Sequence, residues 1–252
     1  MNVSRLLGLM FAGLITAGVA TAQTPAATPA PKPPSPTKLT LDLGFVNVDG
    51  NTRVTTLSFA DNLSYKARRW EFRELGAVVY GRTNDTLTAE QYRVDGRIDH
   101  RLVAVLHFFV GGTYERNRFA GIARRLEEYA GFAIRLIDIP SDLWTFDVGS
   151  SLNQQRSTTR TRLNFKAVRT AMLYRHNFNQ ASYFQLAVET LPDLDDSKDL
   201  RVNGESSLVA RLAGRAALKV SYVVRFDNVP EPGPPPFKKV DRMLATALQI
   251  SF

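Results

Sequence analysis

The chain has 252 residues, a formal net charge of +8 and no cysteine. The lack of cysteine excludes disulfide bonds, thiolate metal sites and a cysteine nucleophile. A basic balance suits nucleic acid, anionic lipid headgroups or acidic solutes.

The N-terminus predicts an exported protein. Arg5 is followed by an apolar run from Leu6 to Ala20 and then by small residues up to Ala22, which is the pattern of a signal peptide over residues 1–22. The apolar run is shorter than the roughly 20 residues that a membrane-spanning helix needs, so we expect cleavage before Gln23. Cleavage removes Arg5 and leaves a net charge of +7 (+8 minus 1). Because the chain is exported, we expect no nucleic-acid partner.

Residues 23–38 contain six prolines among Ala, Thr and Lys. Such a composition favours an extended, unpacked backbone. We therefore expect a linker or spacer that leads into a single domain at residues 39–252, where no apolar run is long enough for a transmembrane helix.

Residues 90–99 alternate in polarity with the period of a β-strand. Tyr92, Val94 and Ile98 lie on one face, and the other face carries only polar side chains, at Gln91, Arg93, Asp95, Arg97 and Asp99. Five successive polar positions do not fit an ordinary apolar core. This strand should have one face in an apolar environment and the other in a polar one.

Similar alternation runs to the last residue of the chain. It predicts twelve strands, at residues 39–48, 52–65, 70–81, 90–99, 102–115, 126–137, 143–152, 163–175, 182–190, 201–212, 218–227 and 244–252. An even number of strands with one apolar face predicts an all-β fold, a transmembrane antiparallel up-and-down β-barrel of about 12 strands. A soluble β-sandwich shares the alternation but does not need such uniformly long strands.

The predicted connections alternate in length, as in outer-membrane barrels with short periplasmic turns and long outer loops. The tight links are 66–69, 99–101, 138–142, 176–180 and 213–215, and the longer links are 116–125, 153–162, 191–200 and 228–240. Two short links, 49–51 and 82–85, do not follow this alternation in length.

Two acidic residues conflict with the predicted faces. The alternation places Asp61 and Glu74 on the apolar face, unless a bulge turns them inward or they lie at a shallow position near the rim.

Three stretches support a family resemblance: Gly50-Asn51-Thr52, the segment Tyr114 to Gly121 and the segment Leu218 to Phe252. Together they resemble a family of salt-induced outer-membrane proteins of unknown function. The resemblance implies an outer-membrane barrel with a link to envelope or osmotic stress, and it supplies no catalytic residues. The C-terminal Phe252 resembles the signal by which barrel-assembly machinery recognises its clients.

An outer-membrane lipid hydrolase is the alternative function. Only His100, His107 and His176 could act as a base, and no spacing brings one of them to a serine, so we assign no catalytic residue. The segment from Asp193 to Asp199 begins like a calcium loop but lacks the glycine and glutamate that such a loop needs. We therefore expect neither a metal nor another cofactor.

Arginines crowd two of the predicted outer loops, and arginine forks bind phosphate well. Contact with the phosphates of outer-membrane lipids is one interpretation, and ordinary solvation of the loops is the other. The candidates are Arg116, Arg118, Arg124, Arg125, Arg156, Arg160 and Arg162.

The polar face of the predicted barrel carries charges of both signs. Such a face can line a narrow, porin-like path for small solutes, or it can pair into a plug that makes the barrel a structural element. The predicted lumen-lining residues are Arg93, Asp95, Arg97, Glu115, Glu127, Arg135, Arg201, Glu205, Lys219 and Arg225. The sequence therefore predicts an outer-membrane protein that is either a narrow channel or a structural barrel.

Overall fold

The computed structural model describes residues 35–48, 54–159, 162–230 and 237–252, and it leaves the side chains of residues 46–48 and 54 undescribed. The predicted signal peptide, residues 23–34 of the predicted linker, the 49–51 link and Arg160 lie outside these residues. Across the described ranges, no helix is long and apolar enough to cross a membrane.

Twelve strands form one closed antiparallel barrel. Each strand pairs with its sequence neighbours, and β1 pairs with β12 to close the ring. The predicted all-β barrel of about twelve strands is confirmed. The strands are β1 (Thr37–Val48), β2 (Val54–Ala67), β3 (Trp70–Thr83), β4 (Thr86–Arg101), β5 (Leu106–Asn117), β6 (Ile122–Asp138), β7 (Asp142–Ser157), β8 (Arg162–Asn177), β9 (Tyr183–Pro192), β10 (Leu200–Ala213), β11 (Ala216–Asp227) and β12 (Val240–Ser251).

The alternation along each strand separates an inward from an outward face. On β4, Tyr92, Val94 and Ile98 are exposed on the outside of the barrel, whereas Arg97 and Asp99 are buried inside it. A closed ring of strands satisfies the backbone hydrogen bonds without an exposed sheet edge. The outer wall is therefore apolar and the lumen polar, which is the inverse of a soluble barrel.

The strand connections define two ends of the barrel. The turn end carries the links 68–69, 102–105, 139–141, 178–182 and 214–215, together with Thr37 and Phe252. The loop end carries the other links, of which 193–199 and 228–239 are the longest. A two-residue hairpin at Asn84–Asp85 also lies there, and both residues have positive φ, as a type I′ turn requires.

The ring is closed by a short ladder. Four residue pairs join β1 to β12, from Thr40 with Ser251 to Leu43 with Leu248, and all of them lie towards the turn end. The described parts of the two strands form no further pairs above Leu43. Neighbouring strand pairs such as β1–β2 are joined along their whole length, so the closure is the least extensive junction of the barrel.

Several strand boundaries differ from the prediction. β6 begins at Ile122 and β7 ends at Ser157, so most of the two predicted arginine-rich loops is strand. The apolar period predicts only the part of a strand that has an apolar outer face, whereas backbone pairing continues beyond it. β1 is likewise longer than predicted, because it begins at Thr37, within the predicted linker. In the opposite sense, residues 102–105 form a link although they were predicted as strand.

Asp61 and Glu74 lie on the outward face. The pairing of β2 with β3 runs without a register shift, so no bulge turns either carboxyl group inward. Asp61 lies in the middle of β2, away from the rim. Gly76 makes room for this group, because a Cβ atom there would lie 2.2 Å from Asp61 Oδ1.

Candidate functional site

The lumen is the candidate functional site. The predicted lumen-lining residues lie on the inward faces of five strands: Arg93, Asp95 and Arg97 on β4, Glu115 on β5, Glu127 and Arg135 on β6, Arg201 and Glu205 on β10, and Lys219 and Arg225 on β11. Most of them are joined by ion pairs to inward groups on other strands.

A chain of alternating charges runs around one side of the lumen. Arg73 Nη2 lies 2.7 Å from Asp99 Oδ2, and Asp99 also accepts from Arg97, which in turn donates to Asp147 on β7. Arg169 Nη2 continues the chain 2.7 Å from Glu189 Oε1 on β9. Charge-assisted bonds of this kind offset the desolvation of groups that are almost fully buried.

Two aromatic rings support this chain. Phe109 and Tyr129 are buried on the inward faces of β5 and β6, with their ring centroids 6.0 Å apart. The guanidinium carbon of Arg97 lies 3.8 Å from the Phe109 centroid, and that of Arg169 lies 4.5 Å from the Tyr129 centroid. Gly111 makes room for Tyr129, since a Cβ atom at this position would lie 2.6 Å from its ring.

Glu115 joins opposite walls of the barrel. Its Oε1 lies 2.5 Å from Arg225 Nη1 on β11, six strands away in a ring of twelve. Its Oε2 lies 3.5 Å from Arg125 and 3.7 Å from Arg93. Glu115 is only 2% exposed, so one carboxylate at the centre of three guanidinium groups bridges the lumen.

A smaller polar group lies nearer the turn end. Lys219 Nζ lies 2.8 Å from Asp42 Oδ2 and 3.5 Å from Glu205. Gln249 donates to Asp42 and accepts from the Tyr183 hydroxyl, which reaches across from β9. This group fastens the β1–β12 closure to the neighbouring strands.

Part of the inward face of β1, β2, β3 and β12 is lined by small or uncharged side chains. We call it the small-residue sector, and it comprises Gly44, Ser58, Ala60, Leu75, Ala77, Val79, Met243, Ala245 and Ala247 on β1, β2, β3 and β12. Leu75 is 48% exposed and Met243 38% exposed although both side chains point inward. The lumen is therefore open beside these strands.

The opposite part of the lumen is filled. We call it the charged sector, and it comprises Arg93, Arg97, Asp99, Glu115, Arg125, Glu127, Asp147, Arg169 and Glu189 on β4 to β9. Its inward neighbours Phe109, Ser151 and Asn153 are almost completely buried. Side chains thus fill this half of the lumen.

Comparison with known proteins supplies the family. Residues 41–252 match the family described as "Protein of unknown function, DUF481". The chain belongs to this family. Over 211 residues it is 22% identical to the "Uncharacterized protein YdiY" of Escherichia coli (strain K12). The matched region covers 84% of this chain and 81% of that protein.

Two solved porin structures also match the chain at low sequence identity. The NanC porin matches with a TM-score of 0.47 and 10% identity, covering 84% of this chain and 97% of that one. The anion-selective porin from Comamonas acidovorans matches with a TM-score of 0.41 and 9% identity, covering 86% and 98%.

Sequence reasoning missed some members of the lumen. Arg73, Asp42 and Gln249 take part in its ion pairs and hydrogen bonds but were not among the candidates. The signal for Arg73 was present, since it alternates with the outward Phe72 and Glu74. The partnership of Glu115 with Arg225 had no local signal, because 110 residues separate them.

The candidate phosphate-binding arginines separate into three groups. Arg125 points into the lumen and donates to Gln155 Oε1 at 2.7 Å, so its predicted contact with lipid is wrong. Arg116 and Arg118 pair with Glu90 at 3.1 and 3.8 Å. The third group, Arg124, Arg156 and Arg162, lies on the outer face of β6, β7 and β8.

The three histidines form no described nucleophile–base pair. His100 packs on Trp70 with 4.3 Å between ring centroids, His107 is buried on the inward face, and His176 Nδ1 lies 2.8 Å from Asp142 Oδ1. Both His100 and His176 belong to strands, whereas the sequence predicted them in turns. Among the described residues, no serine hydroxyl is hydrogen-bonded to any of them.

The aspartate-rich loop folds on itself. Asp193 Oδ1 accepts the backbone N–H of Asp195 at 2.7 Å, and Asp196 Oδ1 accepts that of Lys198 at 2.9 Å. Burial raises the pKa of the Asp199 carboxyl group, although the nearby Arg201 acts in the opposite direction. In the part of the chain that the structure describes, no three acidic or histidine side chains are arranged to hold a metal ion.

Proposed function

We propose that the protein spans the outer membrane of a Gram-negative cell, with the turn end in the periplasm and the loop end outside. Trp70, Trp144 and Tyr65 are exposed on the outer wall near the turn end, and Tyr92 and Tyr114 are exposed towards the loop end. Aromatic side chains at two levels with an apolar wall between them suit the two interfaces of a bilayer.

We propose that within this barrel the small-residue sector forms a narrow path for small solutes. The observation that carries the proposal is the contrast in exposure between Leu75 on β3, which is 48% exposed, and Glu115 of the charged sector on β5, which is 2% exposed. Inward side chains can remain accessible in the middle of a strand only where the lumen is unfilled.

The two walls of this path determine which solutes it suits. Glu115 and Arg225 close one side with a fixed ion pair, and Ala60, Ala77 and Ala247 form the other side with short apolar side chains. Because the charges are already paired, the path offers little net attraction to free ions. It suits small solutes with one polar and one apolar edge.

Conductance in planar bilayers and uptake by vesicles test this function. The refolded protein should give small, discrete conductance steps, and Ala77→Trp should abolish them by filling the path. Leu218→Trp adds the same side chain on the outer wall and is the matched control. Silence of the unmodified protein under all conditions, with no solute uptake, would instead favour a structural barrel stabilised by the charged sector.

We propose two further features of this outer-membrane protein: recognition of its last strand by barrel-assembly machinery, and a role in growth under salt or osmotic stress. Phe252 is exposed next to the closure, and its N–H donates to Leu39 O at 2.8 Å. We propose that barrel-assembly machinery recognises this terminal strand. Deleting Phe252 should lower insertion in cells more than refolding in detergent, and a strain lacking the protein should grow more slowly at high salt.

A further inference from the structure

Three arginines lie side by side on the outer wall near the loop end. Arg124 on β6 pairs across the strands with Arg156 on β7, and Arg156 pairs with Arg162 on β8. All three alternate with inward residues and are exposed on the outward face. We call this set the arginine row.

No ion pair or hydrogen bond to the guanidinium groups of the row occurs among the described residues. Like charges directly opposite one another on adjacent strands destabilise a sheet. Arg116 and Arg118, at the same end of the barrel, share Glu90 instead. The row is therefore a concentration of positive charge that an external anion would stabilise.

The surroundings of the row indicate where that anion comes from. Tyr114 and Leu126 lie one step below it on the outer wall, with Gln154 and Asn164 in the same rank, and together with the row they line a groove of about 320 Å³. Glu128 and Lys166 follow one step further down, on β6 and β8. Below them the wall is apolar down to Phe132 and Val148 except for Ser150.

We propose that the arginine row binds phosphate groups on the headgroups of outer-leaflet lipids. Each guanidinium presents a planar fork of donors that matches phosphate oxygens, and three adjacent forks suit a headgroup with more than one phosphate. The outer wall becomes largely apolar three ranks below the row, where Val110, Ala130 and Val168 lie, so the barrel can contact the acyl chains and the headgroup of one lipid, which a soluble anion would not need. This inference rests on the proposed outer-membrane location but not on conduction through the lumen.

Binding of diphosphorylated lipid A to the full-length protein, refolded in detergent, tests the proposal. The double variant Arg124→Gln, Arg156→Gln should weaken binding about tenfold or more, since each lost fork removes charge-assisted hydrogen bonds. The variant Arg116→Gln, Arg118→Gln removes the same charge from the same end of the barrel and should bind like the unmodified protein. Replacing all three arginines of the row by lysine should restore only part of the affinity, because the charge remains without the fork.

Several results would overturn the proposal. Equal weakening by the two double variants would reduce the effect to overall charge. Equal binding of dephosphorylated lipid A would remove the role of phosphate, and displacement of lipid A by inorganic phosphate at the same concentration would assign the row to free anions. Heat-modifiable migration shows which variants are folded, and Arg156→Gln alone provides the test if the double variant does not refold. Conductance is measured separately, so a silent pore leaves this result standing.

Discussion

The two halves of the lumen differ in how far side chains fill them, although the strands around both have the same geometry. In the charged sector, ion pairs and the rings of Phe109 and Tyr129 fill the space between β4 and β9. In the small-residue sector, alanines line the inward faces of β2, β3 and β12, and the inward side chains of Leu75 and Met243 remain exposed. The short closing ladder lies on the open side, so the best-packed strands and the least extensive junction are on opposite sides of the barrel.

This difference shows how a barrel of intermediate size can combine a filled half with a half lined by short side chains. Twelve strands enclose more space than side chains of average size fill, and less than a wide aqueous pore needs. Concentrating the long side chains on one side satisfies their charges mutually, because buried charges are tolerated only when they are paired. The other side then carries short or uncharged side chains, of which Leu75 and Met243 remain exposed.

The largest effect should come from the centre of the charged sector. Glu115→Leu leaves Arg93, Arg125 and Arg225 without their shared carboxylate, and removing one partner of a buried pair costs about 3–5 kcal/mol. Urea unfolding in lipid vesicles measures this loss. A loss as small as that of Ala77→Leu in the open sector would show that water already screens the charges around Glu115.

Substitutions on β11 and β2 test which strand faces point outward and which point into the lumen. Val220→Arg puts a charge on the outer wall and should cost about 2–4 kcal/mol. Ser221→Arg looks like the natural lumen control from sequence, but Ser221 is buried. Asn62→Arg is the better control, because Asn62 is exposed on the inward face beside the open sector. An equal loss of stability from Val220→Arg and Asn62→Arg would contradict the conclusion that the lumen is open beside the small-residue sector.

The strands could be predicted from the sequence because the alternation of apolar and polar residues with a period of two is visible within each short segment. Strands such as β4 were predicted with their faces correctly assigned, from Tyr92 to Asp99. The ends of β6 and β7 were missed, since Arg124 and Arg156 continue the strands outside the apolar zone that makes alternation visible. Backbone pairing there is set by the partner strands, which no local pattern records.

The site was accessible only in part for a related reason. Alternation shows which residues point inward, and it placed Arg97, Glu115 and Arg225 there. It does not show which of them meet across the lumen, because the pairing of Glu115 with Arg225 depends on ring closure and strand count. The division into a filled and an open half was likewise invisible, although the alanines of β12 carried a weak signal.

A smaller loss should follow from enlarging a residue in the filled half. Gly111→Ala drives a methyl group into the Tyr129 ring and should cost about 1–3 kcal/mol, as overpacking does. Ala77→Val adds two methyl groups in the small-residue sector and should be nearly neutral. Unfolding in urea compares the two. If Ala77→Val costs more than Gly111→Ala, the proposed open path is already occupied by side chains.

The smallest expected change is a gain in stability, and it comes from the outer faces of β2 and β3, two of the strands that carry the small-residue sector. Asp61 and Glu74 contact each other on the outward faces of β2 and β3, next to Gly76. A carboxyl group facing lipid is unfavourable, though less so than arginine or lysine, so Asp61→Leu should stabilise the barrel by about 1 kcal/mol. Asn62→Leu, a neighbouring change on the inward face, should bring no such gain. Urea midpoints in vesicles compare the two variants. A barrel destabilised by Asp61→Leu would show that the hydrogen bond between the Asp61 and Glu74 side chains outweighs the cost of a carboxyl group that faces lipid.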